Sequence, residues 1–208
     1  IEEFIWSKAK EEKKAYALGE AGYDMSLDGD AWISIQYQNA NNSVRVTDEF
    51  MRAVESGNKF ATRYVTTGDV FEEKDARDLM RQIAQAAWEC ADPGIQYHTT
   101  INNWHTCPNT GPINASNPCS EYMHIDDSAC NLASINLLKF LNDDGSFNVE
   151  AYRRVISLSI MAQEIIVGNS SYPTPKIAQN AVDYRQLGLG FSNLGALLMS
   201  LGIPYDSE

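Results

Sequence analysis

What most restricts the fold of this 208-residue chain is an alternation of short β-prone runs with longer stretches of helical apolar period. Residues 43–46 carry Val44 and Val46. Thr47-Asp48-Glu49 then offers an N-cap and an acidic first turn for a helix through Val54, ended at Gly57. Residues 59–65 repeat the strand signal, after which Leu79, Ile83, Ala86, Ala87 and Cys90 form one stripe of a long helix stopped by Pro93-Gly94. Residues 95–101 read as another strand, entering the turn-rich segment 102–116. Residues 130–137 are β-like, and Tyr152, Val155, Ile156, Ile160, Gln163 and Val167 line a helix over about 148–167. Earlier in the chain, Ile1, Phe4, Ile5 and Lys8 make the stripe of a first helix, closed by Gly19 and Gly22. Its solvated side is expected to be Glu11-Glu12-Lys13-Lys14, and a strand is expected over 31–37, after the turn Asp28-Gly29-Asp30. Beyond the break at Pro173-Thr174-Pro175, residues 184–190 are expected to lead into an apolar helix ending at 201. Repeated β-to-α steps of this kind indicate an α/β fold.

The densest chemistry lies in Asn117-Pro118-Cys119-Ser120-Glu121. Pro118 fixes its own φ and biases Asn117 away from helix, so the segment is a shaped loop. In an extended course, Asn117, Cys119 and Glu121 share one face and Ser120 points away. The amide can donate and accept, the carboxylate can take a proton, and the thiol can react. Glu121 opposes a thiolate at Cys119, because nearby negative charge raises a cysteine pKa. A neutral thiol acting as a hydrogen-atom shuttle, beside a carboxylate free to deprotonate a hydroxyl, suits the trio better. A polar turn around an inert cysteine is the alternative these five residues leave open.

Residues 114–137 read Asn-Ala-Ser-Asn-Pro-Cys-Ser-Glu-Tyr-Met-His-Ile-Asp-Asp-Ser-Ala-Cys-Asn-Leu-Ala-Ser-Ile-Asn-Leu. This run resembles the finger loop and following strand of ribonucleotide reductases, specifically the adenosylcobalamin-dependent class II enzymes. Residues 1–20, 39–51, 104–137 and 184–207 also resemble family segments, in family order. The resemblance implies that residues 1–208 are a fragment of the catalytic domain, part of a ten-stranded α/β barrel with a finger loop (about 114–130) through its centre. It implies radical-based reduction of ribonucleotides, by family similarity diphosphates, to deoxyribonucleotides for DNA synthesis. On this resemblance Cys119 is the thiyl-radical residue that removes the substrate 3′ hydrogen, and Glu121 is the base on the 3′ hydroxyl. Asn117 is a hydrogen-bonding partner of the substrate, with Ser116 beside it in substrate binding. Cys130 is one of two reducing cysteines, its partner lying upstream of Ile1, and Cys119 and Cys130 are both expected to be reduced. Adenosylcobalamin is the implied cofactor. The implied partners are the remaining parts of the reductase and an external dithiol reductant such as thioredoxin, and the fragment alone is expected to be inactive. Two alternatives stand beside this one: an oxygen-dependent class I large-subunit fragment, whose radical arrives from a second subunit, and a non-catalytic barrel fragment serving structure or an interface.

Charge narrows the partners. A formal net charge of −12 argues against wrapping a nucleic-acid polymer, whereas a mononucleotide needs only a few local donors. No apolar run reaches the roughly 18 residues of a membrane span, and Ile1-Glu2-Glu3 lacks the features of a signal peptide, so no membrane partner and a cytoplasmic location are expected. Cysteines at 90, 107, 119 and 130 with histidines at 98, 105 and 124 include no C-x-x-C pair, so no metal site is expected. Cys90 sits on an apolar stripe and reads as a core thiol. The amides of residues 38–42 could touch a base or ribose but more simply make turns. Gly188-x-Gly190 with Gly195 lacks dinucleotide-loop spacing and points to close backbone packing.

Overall fold

The computed structural model describes residues 1–207, in two compact units, Ile1–Ile125 and Asp126–Glu208. The first unit runs α1 (Glu2–Ile5), α2 (Ser7–Glu20), α3 (Asp30–Ile33), β1 (Ser43–Val46), α4 (Asp48–Ser56), β2 (Lys59–Arg63), β3 (Val70–Asp75), α5 (Ala76–Cys90), β4 (Gly94–Tyr97), α6 (His98–Asn103), β5 (Ala115–Ser116) and β6 (Met123–His124). Strand β1 pairs in parallel with β4, setting Arg45 opposite Gln96. Alternation divides the pair into two faces. Val44 and Val46 are buried in a core with Ile5, Phe50, Ala53, Ala76, Leu79, Ile83 and Ala86, while Ser43 and Arg45 lie on the opposite face.

The two helices over this core begin and end as their sequences dictate. Thr47 caps α4 by accepting the Phe50 N–H at 3.3 Å, and Gly57 closes it at φ 71°, a left-handed conformation that costs glycine little. Asp75 caps α5 through the Asp78 N–H at 2.8 Å, and the helix ends at Ala91, in left-handed conformation, before reaching Pro93. Phe50 is 4% exposed and meets the Phe60 ring edge-on at 5.2 Å. Phe50→Ala is therefore expected to destabilise the first unit by about 3–5 kcal/mol, through lost transfer energy and a residual cavity. Chemical denaturation of the intact protein, followed by hydrogen exchange in α4 and α5, checks this.

Several expectations need correction. Residues 31–37 do not form a strand. Ala31 is fully buried and donates its N–H to Asp24 O (3.1 Å), and Trp32 donates Nε1–H to Met25 O (3.2 Å) while meeting Tyr16 edge-on. These contacts wind the run into the single turn α3, since a short apolar run carries no period of its own. Glu11 is not solvated: its carboxylate pairs with Lys14 and accepts the Gln36 N–H at 3.0 Å. The strand expected over 95–101 stops at Tyr97, where α6 begins, and that over 59–65 stops at Arg63. β3, antiparallel to β2, was not foreseen, because its Val-Phe-Glu-Glu-Lys-Asp sequence is largely exposed and lacks alternation.

The second unit contains β7 (Asn131–Asn136), a 3-10 turn (Leu137–Phe140), α7 (Val149–Asn169), α8 (Pro175–Tyr184), β8 (Leu187–Ser192) and α9 (Leu194–Leu201). β7 and β8 pair in parallel from Asn131↔Leu187 to Asn136↔Ser192. Buried Gln163 of α7 clips their start, donating Nε2–H to Asn131 O (2.9 Å) and Gly188 O (3.0 Å). A Cβ at Gly188 would stand 2.4 Å from Leu132 Cδ2, which bears out close packing there, whereas Gly190 and Gly195 have open space. Pro173-Thr174-Pro175 breaks the chain only to start α8, with Thr174 as cap and Pro175 in the first turn, where its missing N–H costs nothing. Residues 184–190 run into β8 rather than directly into a helix, because its pairing with β7 supplies what two glycines withhold.

The described strands form four two-stranded sheets, two parallel and two antiparallel. The α/β class holds, but no closed barrel is present among the described residues. No helix among them is long and apolar enough to cross a membrane.

Candidate active site

The turn that carries Cys119 closes on Asn117. The Asn117 N–H donates to Tyr122 O (3.3 Å) and its carbonyl accepts the Ser120 N–H (3.1 Å), while Oδ1 accepts the Tyr122 N–H at 2.9 Å. Pro118 occupies the second position of this turn, where a fixed φ is favourable, and Ser120 at φ 67° returns the chain into β6. The extended course expected for 117–121 is thus not adopted. A positive φ at Ser120 folds the segment tightly, so Asn117, Cys119 and Glu121 do not share a face by simple alternation.

Hydrogen bonding nevertheless brings two of the three together. The Asn117 amide donates to the Glu121 carboxylate, which holds Glu121 below the ordinary glutamic value of 4.5, with a smaller contribution from its own backbone. Glu121 is exposed and carries its charge at neutral pH. Cys119 stands exposed at the tip, and Asn41 Nδ2 donates to its Sγ at 3.8 Å. The turn therefore carries an exposed thiol and, held by Asn117, an ionised carboxylate.

Beneath the turn lies a polar support on the non-core face of β1 and β4. Gln96, 7% exposed, donates from Nε2 to Ser116 Oγ (2.7 Å) and Ser120 Oγ (2.9 Å). Arg45 donates to Gln96 Oε1 (2.9 Å) and to Ile113 O (3.2 Å). Asn41, Ser43, Arg45, Gln96 and residues 114–118 line a recess of about 320 Å³. Ser116 is thereby half-buried and faces the recess, donating onward to Asn117 O at 2.7 Å. Sequence alone did not single out Arg45 or Gln96. Arg45 carried a signal, a polar residue between core-facing Val44 and Val46, whereas Gln96, between Ile95 and exposed Tyr97, carried none. Asn41 was visible only as one of a run of amides.

The imidazoles brace the hairpin. His124 stacks on Tyr122 (5.8 Å, 11°) and meets His105 edge-on (5.8 Å), and burial, then the neighbouring His105, push the His124 pKa down. His105 Nδ1 accepts the Cys107 N–H (3.3 Å), so Nε2 carries the proton and donates to Gly111 O (3.0 Å). Both ring nitrogens are engaged within the loop. Among the described residues no three His, Cys, Asp or Glu side chains gather where they could hold a metal ion. Cys90 is half-buried beside the core rather than in it; burial pushes its thiol up, and its single proton is shared between Ala86 O and Asp92 O, each at 3.3 Å. In the second unit Cys130 lines a separate cavity of about 270 Å³ with Asn131, Leu132, Val167, residues 170–172, Ala181 and Gln186.

The profile of the ribonucleotide reductase barrel domain matches residues 1–208. The chain belongs to the ribonucleotide reductase barrel-domain family. Its relatives include the vitamin B12-dependent ribonucleotide reductases of Streptomyces clavuligerus, 59% identical across 100% of this chain, and Rhodopirellula baltica, 54% identical across 100%. The vitamin B12-dependent ribonucleoside-diphosphate reductase of Mycobacterium tuberculosis is 38% identical across 81% of the chain. This barrel-domain chain spans 22%, 20% and 24% of those relatives, respectively. The family match covers both units, including the segments in which the sheets are only paired strands.

Proposed function

We propose that this chain carries the radical-bearing finger loop of a ribonucleotide reductase that makes 2′-deoxyribonucleotides, with ribonucleoside diphosphates as substrate and adenosylcobalamin as cofactor. The observation that supports this most is an exposed thiol, Cys119, on a tight turn whose Asn117 amide holds the Glu121 carboxylate ionised, in a chain that matches the barrel domain end to end. The relatives named vitamin B12-dependent support the cofactor, and the Mycobacterium tuberculosis name supports the diphosphate. The strand pairs are read as portions of a ten-stranded barrel wall completed by chain outside residues 1–208.

When bound, adenosylcobalamin supplies the one-electron chemistry that removes a hydrogen atom from a thiol. The cofactor fits this site in one respect, that Cys119 is reachable from outside the turn. No residue of this chain is assigned as its ligand. In the proposed cycle the Cys119 thiyl takes the 3′ hydrogen of the sugar, and Glu121, already ionised, accepts the 3′ hydroxyl proton. Asn117 and Ser116, at the recess, orient the substrate hydroxyls. Cys130 and a second thiol from outside this chain then supply two electrons and two protons as they become a disulfide, so that the 2′ hydroxyl leaves as water with hydrogen in its place, Cys119 returns the 3′ hydrogen, and an external dithiol such as thioredoxin resets the disulfide.

The test is deoxynucleotide formation by the full-length protein given adenosylcobalamin, a dithiol and ribonucleoside diphosphate; no product with any ribonucleotide would remove the reading. In the same assay Cys130→Ser is expected to form a substrate-derived radical, seen by paramagnetic resonance, yet fail to complete multiple turnovers. Sustained turnover at the wild-type rate would strike Cys130 from the reducing pair.

A further inference from the structure

The geometry points to Gln96 as the positioning residue that fixes the turn bearing Cys119, through a clamp built from one amide and two serine hydroxyls. This rests on the reductase reading and extends it to a residue outside the reacting trio.

The amide is fully committed. Its Nε2 has two protons, and Ser116 Oγ at 2.7 Å and Ser120 Oγ at 2.9 Å take them. Its Oε1 accepts from Arg45 Nη2 at 2.9 Å, and because a guanidinium only donates, the group facing Arg45 must be the oxygen. The amide orientation is thereby fixed without ambiguity, and the serines must be acceptors. Ser116 can therefore spend its own proton on Asn117 O (2.7 Å), the carbonyl that also receives the Ser120 N–H (3.1 Å).

Ser116 and Ser120 stand at the two ends of the turn, their hydroxyl oxygens 3.3 Å apart. One buried side chain therefore ties both ends, leaving Pro118 and Cys119 as the exposed tip. Arg45 extends the clamp by holding Ile113 O at 3.2 Å, where the chain approaches β5. Positioning matters here because hydrogen-atom transfer demands close, aligned approach of sulfur and the C–H bond. A Cys119 free to swing on its turn meets that geometry rarely.

The discriminating variant is Gln96→Glu in the full-length enzyme, which keeps length and the Arg45 contact but loses both N–H donors. Turnover is expected to fall at least about tenfold with nucleotide KM little changed, the loss expected of two polar hydrogen bonds acting on orientation rather than affinity. Hydrogen exchange of the Ser120 and Tyr122 amides should accelerate by about tenfold while β1 and β4 stay protected. Ser116→Ala with Ser120→Ala should reproduce the faster exchange, and adding Gln96→Glu to that pair should make the exchange no faster. Wild-type turnover and protection in Gln96→Glu would overturn the clamp. So would additive losses of protection in the triple variant, lost protection with unchanged turnover, or general loss of protection across β1 and β4. If the wild-type protein makes no deoxynucleotide the functional reading fails, and the exchange measurements still decide whether the clamp exists.

Discussion

Cys119→Ser is expected to reduce deoxynucleotide formation by the intact protein to background while nucleotide binding stays nearly unchanged. A hydroxyl O–H is much harder to break homolytically than a thiol S–H, so the serine cannot serve as a reversible hydrogen-atom carrier. Binding should survive because the turn is held by groups other than the thiol. Asn117 closes it through Tyr122 and Ser120, and Gln96 holds its two ends. Among the described residues the thiol takes one long contact, from Asn41 at 3.8 Å. Parallel binding and turnover measurements separate the two effects. Turnover above a trace in the serine variant would return Cys119 to the rank of an ordinary turn residue.

Glu121→Gln is expected to slow 3′ hydrogen abstraction by about 10²–10⁴-fold, the usual contribution of a positioned general base. The amide keeps the shape but cannot take the 3′ hydroxyl proton. Single-turnover kinetics with 3′-deuterated nucleotide reads this step directly, and a wild-type rate would deny Glu121 the role. The sign of the pH dependence follows from the direction of its pKa. Donation from Asn117 lowers the Glu121 pKa in the folded protein, so the ionised form present at neutral pH is lost only as pH falls below the ordinary value of 4.5. An acid limb belonging to this group should therefore lie below 4.5, and Asn117→Ala should move it upward.

The α/β class was legible because helix ends carry local signals. Thr47 with Gly57 bounded α4, and Asn148 marked the start of α7. The strands were less legible, since pairing is a property of distant residues. Charged β3 exists by virtue of β2, and glycine-bearing β8 by virtue of β7. The Asn117–Glu121 turn was visible as a loop from Pro118, yet its arrangement was not. A period-two expectation fails where Ser120 turns left-handed, and no local pattern announces that Gln96 lies under Ser116 and Ser120. The same applies to Glu11, whose place in a charged run gave no hint that it would cap the Gln36 N–H.

The parallel pairing of β1 with β4 sets an order on how this chain matures. Ser43 meets Gly94 only after α4, the β2–β3 hairpin and α5 have been traversed, and closing so long a loop costs entropy before the strand bonds repay it. Seating β4 against β1 therefore costs more loop entropy than winding the local turns of α4 or α5. Gln96 rides on β4, so until β4 is seated Ser116 and Ser120 have only the turn's own bonds to Asn117. A chain in which β4 is not yet seated carries Cys119 on a turn without the Gln96 clamp, and gains that support only once β1 and β4 have paired.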